Sequence, residues 1–257
     1  MKSSKILIVL GFGTLIWCSL ANCTKKKNDT SAENNPKAVV EIKSKTVTGS
    51  QFNYKVFYPE ANASQNRKGL IILAVGDGGN ENNGTLNAQC NALAQKGYVA
   101  ITTTYRPMPQ TYVQWYINFK QDIEQIISKE TAAYGIDRSK VVIGGLSRGG
   151  NLTLGLVLPA QMDAAHPPIT GIRGVILECA GGDNWKGTAI LFPVLFLSNA
   201  TDKQVGTNAD AFKTGLQSNG NLGVKDKSQF LVIPGEGHCT SSGQYKDFIT
   251  QHIDSWF

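Results

Sequence analysis

Short apolar runs alternating with stretches of helical spacing constrain this chain more than any other feature. Leu70 to Val75 is a continuous apolar run of strand length, as a strand covered on both faces requires. Tyr98 to Tyr105, Lys140 to Gly144, Ile172 to Cys179, Ile190 to Leu197 and Phe230 to Ile233 read as further strands. Between them, Thr85 to Lys96 reads as a helix ended by Gly97, and Trp115, Phe119, Ile123, Ile126 and Ile127 fall on one face of a long helix reaching about Tyr134. Gly149 to Leu158, halted by Pro159, Asp210 to Gln217 and Tyr245 to Phe257 complete the helices. Ala38 to Val47 and Phe52 to Pro59 are two opening strands joined by a turn at Thr48-Gly49-Ser50. This order predicts an α/β fold: a mostly parallel, eight-stranded sheet with helices on both faces. Right-handed crossovers then gather the loops that follow the strands along one edge.

A chain of 257 residues that is 41% hydrophobic and 17% charged can bury one substantial core. Its net charge of +6 is concentrated at the start. Lys2 and Lys5 stand without an acid in the first 22 residues, and Lys25, Lys26, Lys27 and Lys37 face only Asp29 and Glu33, so about +2 remains beyond Lys37. That is no footprint for nucleic acid. Lys2 and Lys5, the apolar stretch Ile6 to Trp17 and Leu20-Ala21-Asn22-Cys23 have the layout of a cleaved targeting segment. The apolar stretch is too short for a permanent membrane span. The ending at Cys23 resembles the lipobox of bacterial lipoproteins, with Asn22 where that family prefers a small residue. The expected organisation is a signal peptide over 1–22, a polar tether on lipidated Cys23 over 23–37, and a globular domain over 38–257, exported to the cell envelope and held at a membrane through the lipid, with plain secretion as the alternative. Cys90, Cys179 and Cys239 match no zinc spacing and are expected as small buried hydrophobes.

Gly145-Leu146-Ser147-Arg148-Gly149 is a Gly-x-Ser-x-Gly pattern. With 27 glycines in the chain the pattern can arise by chance. Its position between an expected strand and an expected helix gives it weight. A serine on so tight a turn holds strained backbone angles, and side chains two positions either way would strike the neighbouring strand and helix. Ser147 is therefore the candidate nucleophile.

A nucleophilic serine needs a base, and the chain has three histidines. His238 follows the last expected strand in the glycine-rich loop Pro234-Gly235-Glu236-Gly237, where an imidazole can be presented. His252 reads as a helix residue and His166 as an exposed loop residue. The base in turn needs a carboxylate to hold its tautomer. Asp202, after the Ile190 to Leu197 run, is preferred to Asp183, which also follows a strand. For an oxyanion, the amide of Arg148 is the first expected donor, and Gly78 or Gly79 in the loop after Leu70 to Val75 the second. The Arg148 side chain is expected to form an ion pair or lie at the surface. Trp115, Trp185 and Tyr105 are read as core more readily than as pocket lining.

These residues, with Gly78-Gly79, Tyr105-Arg106-Pro107, Asp202 with Val205 and Gly237-His238, give the chain from about Val39 to Phe257 a resemblance to the alpha/beta-hydrolases of the esterase and dienelactone-hydrolase-like branch. The resemblance implies hydrolysis of a small-molecule ester through an acyl-enzyme, with no cofactor and no metal. Ser147 stands where a cysteine-nucleophile dienelactone hydrolase would need Cys, and Asp77 where many relatives have histidine. About ten residues separate Cys179 from Ile190, leaving no room for a large lid. Peptide or amide hydrolysis on the same fold, and a surface lipoprotein that only binds, are the competing readings.

Overall fold

The computed structural model describes residues 40–60, 67–162, 165–204, 208–235 and 237–257. The expected targeting segment, Cys23 and the tether lie outside these residues. Among the described residues no helix is long and apolar enough to cross a membrane.

The alternation of apolar runs becomes one eight-stranded sheet. Strands β1 (Ile42–Thr48) and β2 (Asn53–Pro59) form an antiparallel hairpin, and β2 runs antiparallel to β4 (Val99–Thr103). From β4 onward the ladder is parallel through β3 (Leu70–Ala74), β5 (Val141–Leu146), β6 (Gly174–Glu178), β7 (Val194–Asn199) and β8 (Gln229–Ile233). The spatial order is β1-β2-β4-β3-β5-β6-β7-β8. After β3 the chain moves outward to β4 and then crosses back over β3 to β5. The carboxyl ends of β3 and β5 therefore flank the point where winding reverses, the place where such sheets open a crevice.

Because successive strand residues face opposite ways, β3 feeds two cores. Leu70, Ile72 and Ala74 pack on one side of the sheet, and Ile71, Leu73 and Val75 on the other. The first side is covered by α2 (Tyr112–Tyr134) and α3 (Arg148–Val157), with α5 (Ala209–Gln217) and α6 (Leu222–Lys227) toward the β8 end. The second is covered by α1 (Gly84–Gln95) and α7 (Ser242–His252). The stripe Trp115, Phe119, Ile123, Ile126 and Ile127 is buried as its spacing required. Helix α2 begins at Thr111, whose hydroxyl accepts from the Gln114 amide, and ends at Gly135 in the left-handed region, φ 63°.

The structure departs from the sequence reading around β7 and at the closing helix. β7 starts at Val194 instead of Ile190, because Pro193 has no amide to give a ladder. The segment before it, to which the sequence reading assigns no element, holds α4 (Asn184–Ala189), capped by Asp183 and packed against α5 so closely that a Cβ on Gly215 would lie 1.9 Å from the Asn184 carbonyl oxygen. Helix α6 was not foreseen. The closing helix gives way at His252 to a 3-10 turn over Ile253–Trp256.

Candidate active site

β5 passes into α3 through a single residue. Ser147 has φ 54° and ψ −115°, a conformation that a residue with a Cβ adopts only when its surroundings impose it. The constraint comes from both flanks. A Cβ on Gly145 would fall 2.5 Å from the Gly149 carbonyl carbon, and one on Gly149 2.4 Å from the carbonyl oxygens of Ala74 and Val75. The amide of Ser147 donates to the Glu178 carbonyl on β6 at 2.7 Å. The glycine spacing in the sequence is thus the imprint of β3, β5 and α3 in contact.

His238 sits in the loop between β8 and α7. Its Nε2 lies 2.7 Å from Ser147 Oγ, and its Nδ1 lies 2.8 and 3.0 Å from the two carboxylate oxygens of Asp202. The Asp202 side chain is fully buried, and its Oδ1 also accepts the Gln204 amide at 3.0 Å. With Nδ1 protonated toward Asp202, Nε2 is left to accept the serine proton. Three residues far apart in sequence therefore form one hydrogen-bonded line. Their rivals serve elsewhere. Asp183 caps α4 through the Asn184 amide, His252 packs on Phe248 with ring centroids 4.3 Å apart, and His166 is half-buried in its loop, not exposed as expected.

The line opens on a depression of about 600 Å³ bordered by Gly76, Asp77, Gly79, Arg148 and His238. Here the expected second donor needs correction. The Gly79 amide is committed to the Gly76 carbonyl at 3.1 Å, and Gly78, at φ 72°, does not border the depression. Among the glycines of this loop, Gly76 is the one against the serine: a Cβ there would lie 3.3 Å from Ser147 Cβ. The neighbouring Asp77 amide has no backbone acceptor among the described residues. The Arg148 amide, at the first position of α3, has no partner within the helix. The Arg148 side chain pairs with Asp77 through Nε at 3.2 Å, and Tyr105 donates its hydroxyl to the same carboxylate at 3.3 Å.

A second depression of about 520 Å³ shares Arg148 and is bordered by Tyr112, Tyr116, Asn151, Gly155 and Lys186. None of Trp115, Trp185 and Tyr105 borders either space. Tyr112 and Tyr116, one helical turn apart at the start of α2, are the aromatic residues that do, and their spacing was a legible signal. Cys90 and Cys179 are fully buried as expected, but Cys239 is half-buried and borders the first depression. Burial pushes the Glu178 carboxyl up to about 7, against the opposing hydrogen bond from Gln89 Nε2 at 2.7 Å.

The strand order, the glycine-flanked turn and the loop placements are those of the alpha/beta-hydrolase fold, and that is the fold of this chain. Residues 55–166 match the family model described as BD-FAE. Among solved structures, the chain is similar to a propionate-bound esterase, Est2, of Thermogutta terrifontis, with 16% identity over 85% of this chain and 94% of that one and a TM-score of 0.62. It is also similar to a thermostable esterase from Pseudomonas putida, at 15% identity, 84% and 82% coverage and a TM-score of 0.55. A protein assigned as a dienelactone hydrolase from Klebsiella pneumoniae has 17% identity, 84% and 98% coverage and a TM-score of 0.56. No curated protein matches the chain significantly.

Proposed function

We propose that this protein is a serine hydrolase of carboxylic esters. The observation that carries the reading is the unbroken line from Asp202 through His238 to Ser147, with separations of 2.8 and 2.7 Å, at the mouth of an open depression. In the proposed reaction the Ser147 hydroxyl attacks the ester carbonyl as its proton passes to His238 Nε2. Asp202 stabilises the imidazolium, which then protonates the leaving alcohol. Water, deprotonated by the same imidazole, releases the acid from Ser147. The amides of Arg148 and Asp77 are the donors assigned to the developing oxyanion. Esterase neighbours of the same fold support the ester reading.

The polar tether and Cys23 belong to the same proposal: the domain works in the cell envelope, held to a membrane by a lipid on Cys23. Labelling with a fluorophosphonate tests the reaction. The natural chain is expected to label and Ser147→Ala not to. Equal labelling of both overturns the site, and labelling of neither favours a binding protein. Aryl esters beside an aryl amide then separate esterase from amidase.

A further inference from the structure

Only three non-glycine residues among those described hold a positive φ: Ser147, Cys179 at 50° and Cys239 at 56°. The strain at Ser147 belongs to the turn that presents it. At the two cysteines it has a different consequence, which is to aim both thiols at one point beside His238. One donor atom from each of Cys179, His238 and Cys239 lies within 4.8 Å of the other two. Neither cysteine is bridged.

We propose that Cys179, His238 and Cys239 form a binding site for a thiophilic divalent cation of the zinc class, and that its occupation withdraws the imidazole from Ser147. Two sulfurs and one imidazole nitrogen are a donor set that favours such an ion over magnesium or calcium. In a tetrahedral site with bonds of about 2.0–2.3 Å the donors stand roughly 3.3–3.8 Å apart, so a contraction of at most about 1.0–1.5 Å completes it. On binding, the two thiols release their protons to solvent and become thiolates, the imidazole supplies a lone pair, and a water from the depression fills the fourth position. Two thiolates neutralise the ion, so no net charge is left in a largely buried place.

The surroundings suit this role. Cys179 is held by the sheet, its amide donating to the Leu197 carbonyl at 2.7 Å. The Tyr245 hydroxyl donates to Asn199 at 2.9 Å and its oxygen lies 3.4 Å from the Cys179 sulfur, so it faces the thiol proton that a cation would displace. Cys239 borders the open depression and provides the way in. The cation site stands without the proposed hydrolase reaction; only its inhibitory effect rests on that reading.

The test uses the full chain, reduced with a phosphine and freed of reductant. Zinc is titrated against a chromophoric chelator, and cobalt is added in parallel. The expected result is tight zinc binding and a thiolate-to-cobalt charge-transfer band in the natural chain, both kept in Ser147→Ala. Affinity should fall at least about 100-fold, and the band be lost, in Cys239→Ser. Ester hydrolysis should fall in step with occupancy and return with a chelator. Cys179→Ala, checked by its melting transition, serves as the second variant. Equal zinc affinity in the natural chain and Cys239→Ser overturns the site, as does absence of binding by the reduced natural chain, including the case where the isolated protein carries a Cys179–Cys239 disulfide. Stoichiometric binding by a chain that cleaves no ester leaves the cation site standing and removes the hydrolase reading.

Discussion

The Ser147 amide donates to the Glu178 carbonyl at 2.7 Å, while the Glu178 carboxyl lies fully buried on the same strand end with Gln89 as its side-chain partner among the described residues. The residue that presents the hydroxyl is thus pinned to one whose side chain resists ionisation.

Glu178→Gln is expected to flatten the pH dependence of stability. The folded-state pKa of Glu178, about 7, lies above its usual 4.5. Stability is therefore complete below about pH 4.5, declines as pH rises toward 7 and is level beyond, because the unfolded chain ionises first. The loss is on the order of a few kcal/mol. Urea denaturation of both proteins across this interval measures it, and parallel curves contradict the prediction.

Asp202→Asn is expected to lower turnover of an aryl ester on the order of 10⁴-fold while the melting temperature changes little, because the amide favours the wrong imidazole tautomer. Turnover within tenfold of the natural chain would remove Asp202 from the line.

Asp77→Asn should reduce kcat about tenfold and leave stability within about 1 kcal/mol. Its exposed carboxylate ties Tyr105 and Arg148 together, which matters more for the placement of the Asp77 and Arg148 amides than for folding. Steady-state kinetics beside thermal melting separates the two effects.

Gly149→Ala should destabilise the fold by about 3 kcal/mol or more, since the new Cβ meets backbone oxygens that cannot move aside. Gly243→Ala, in α7 with nothing within 4 Å of the added atom, should be neutral or stabilising by up to about 1 kcal/mol. Differential scanning calorimetry of the pair is the measurement, and similar melting temperatures would refute the packing account of the turn.

Period and punctuation made the sheet legible. A run such as Leu70 to Val75 has few alternatives, and Ser147, Asp202 and His238 each follow a strand in the order that brings them to one edge. What stayed hidden depends on contacts between distant segments. Helix α4 is too short to show a period and exists because Gly215 lets it lie against α5. In the Gly76 to Gly79 loop the sequence points to Gly78 or Gly79, and the hydrogen bond from Gly79 to Gly76 shows that the Gly79 amide is taken. Cys239 beside His238 was visible in the sequence, whereas the approach of Cys179 across the sheet was not.

Since Ser147, Cys179 and Cys239 gather at one rim the positive-φ backbone of the non-glycine residues described, ruggedness and reactivity compete for the same few positions. Glycine at 179 or 239 would relax the chain there while removing a sulfur. Anyone seeking a hardier form of this protein has more freedom at the far surface, for instance at the exposed Leu222 of α6, where a polar replacement leaves the rim unchanged.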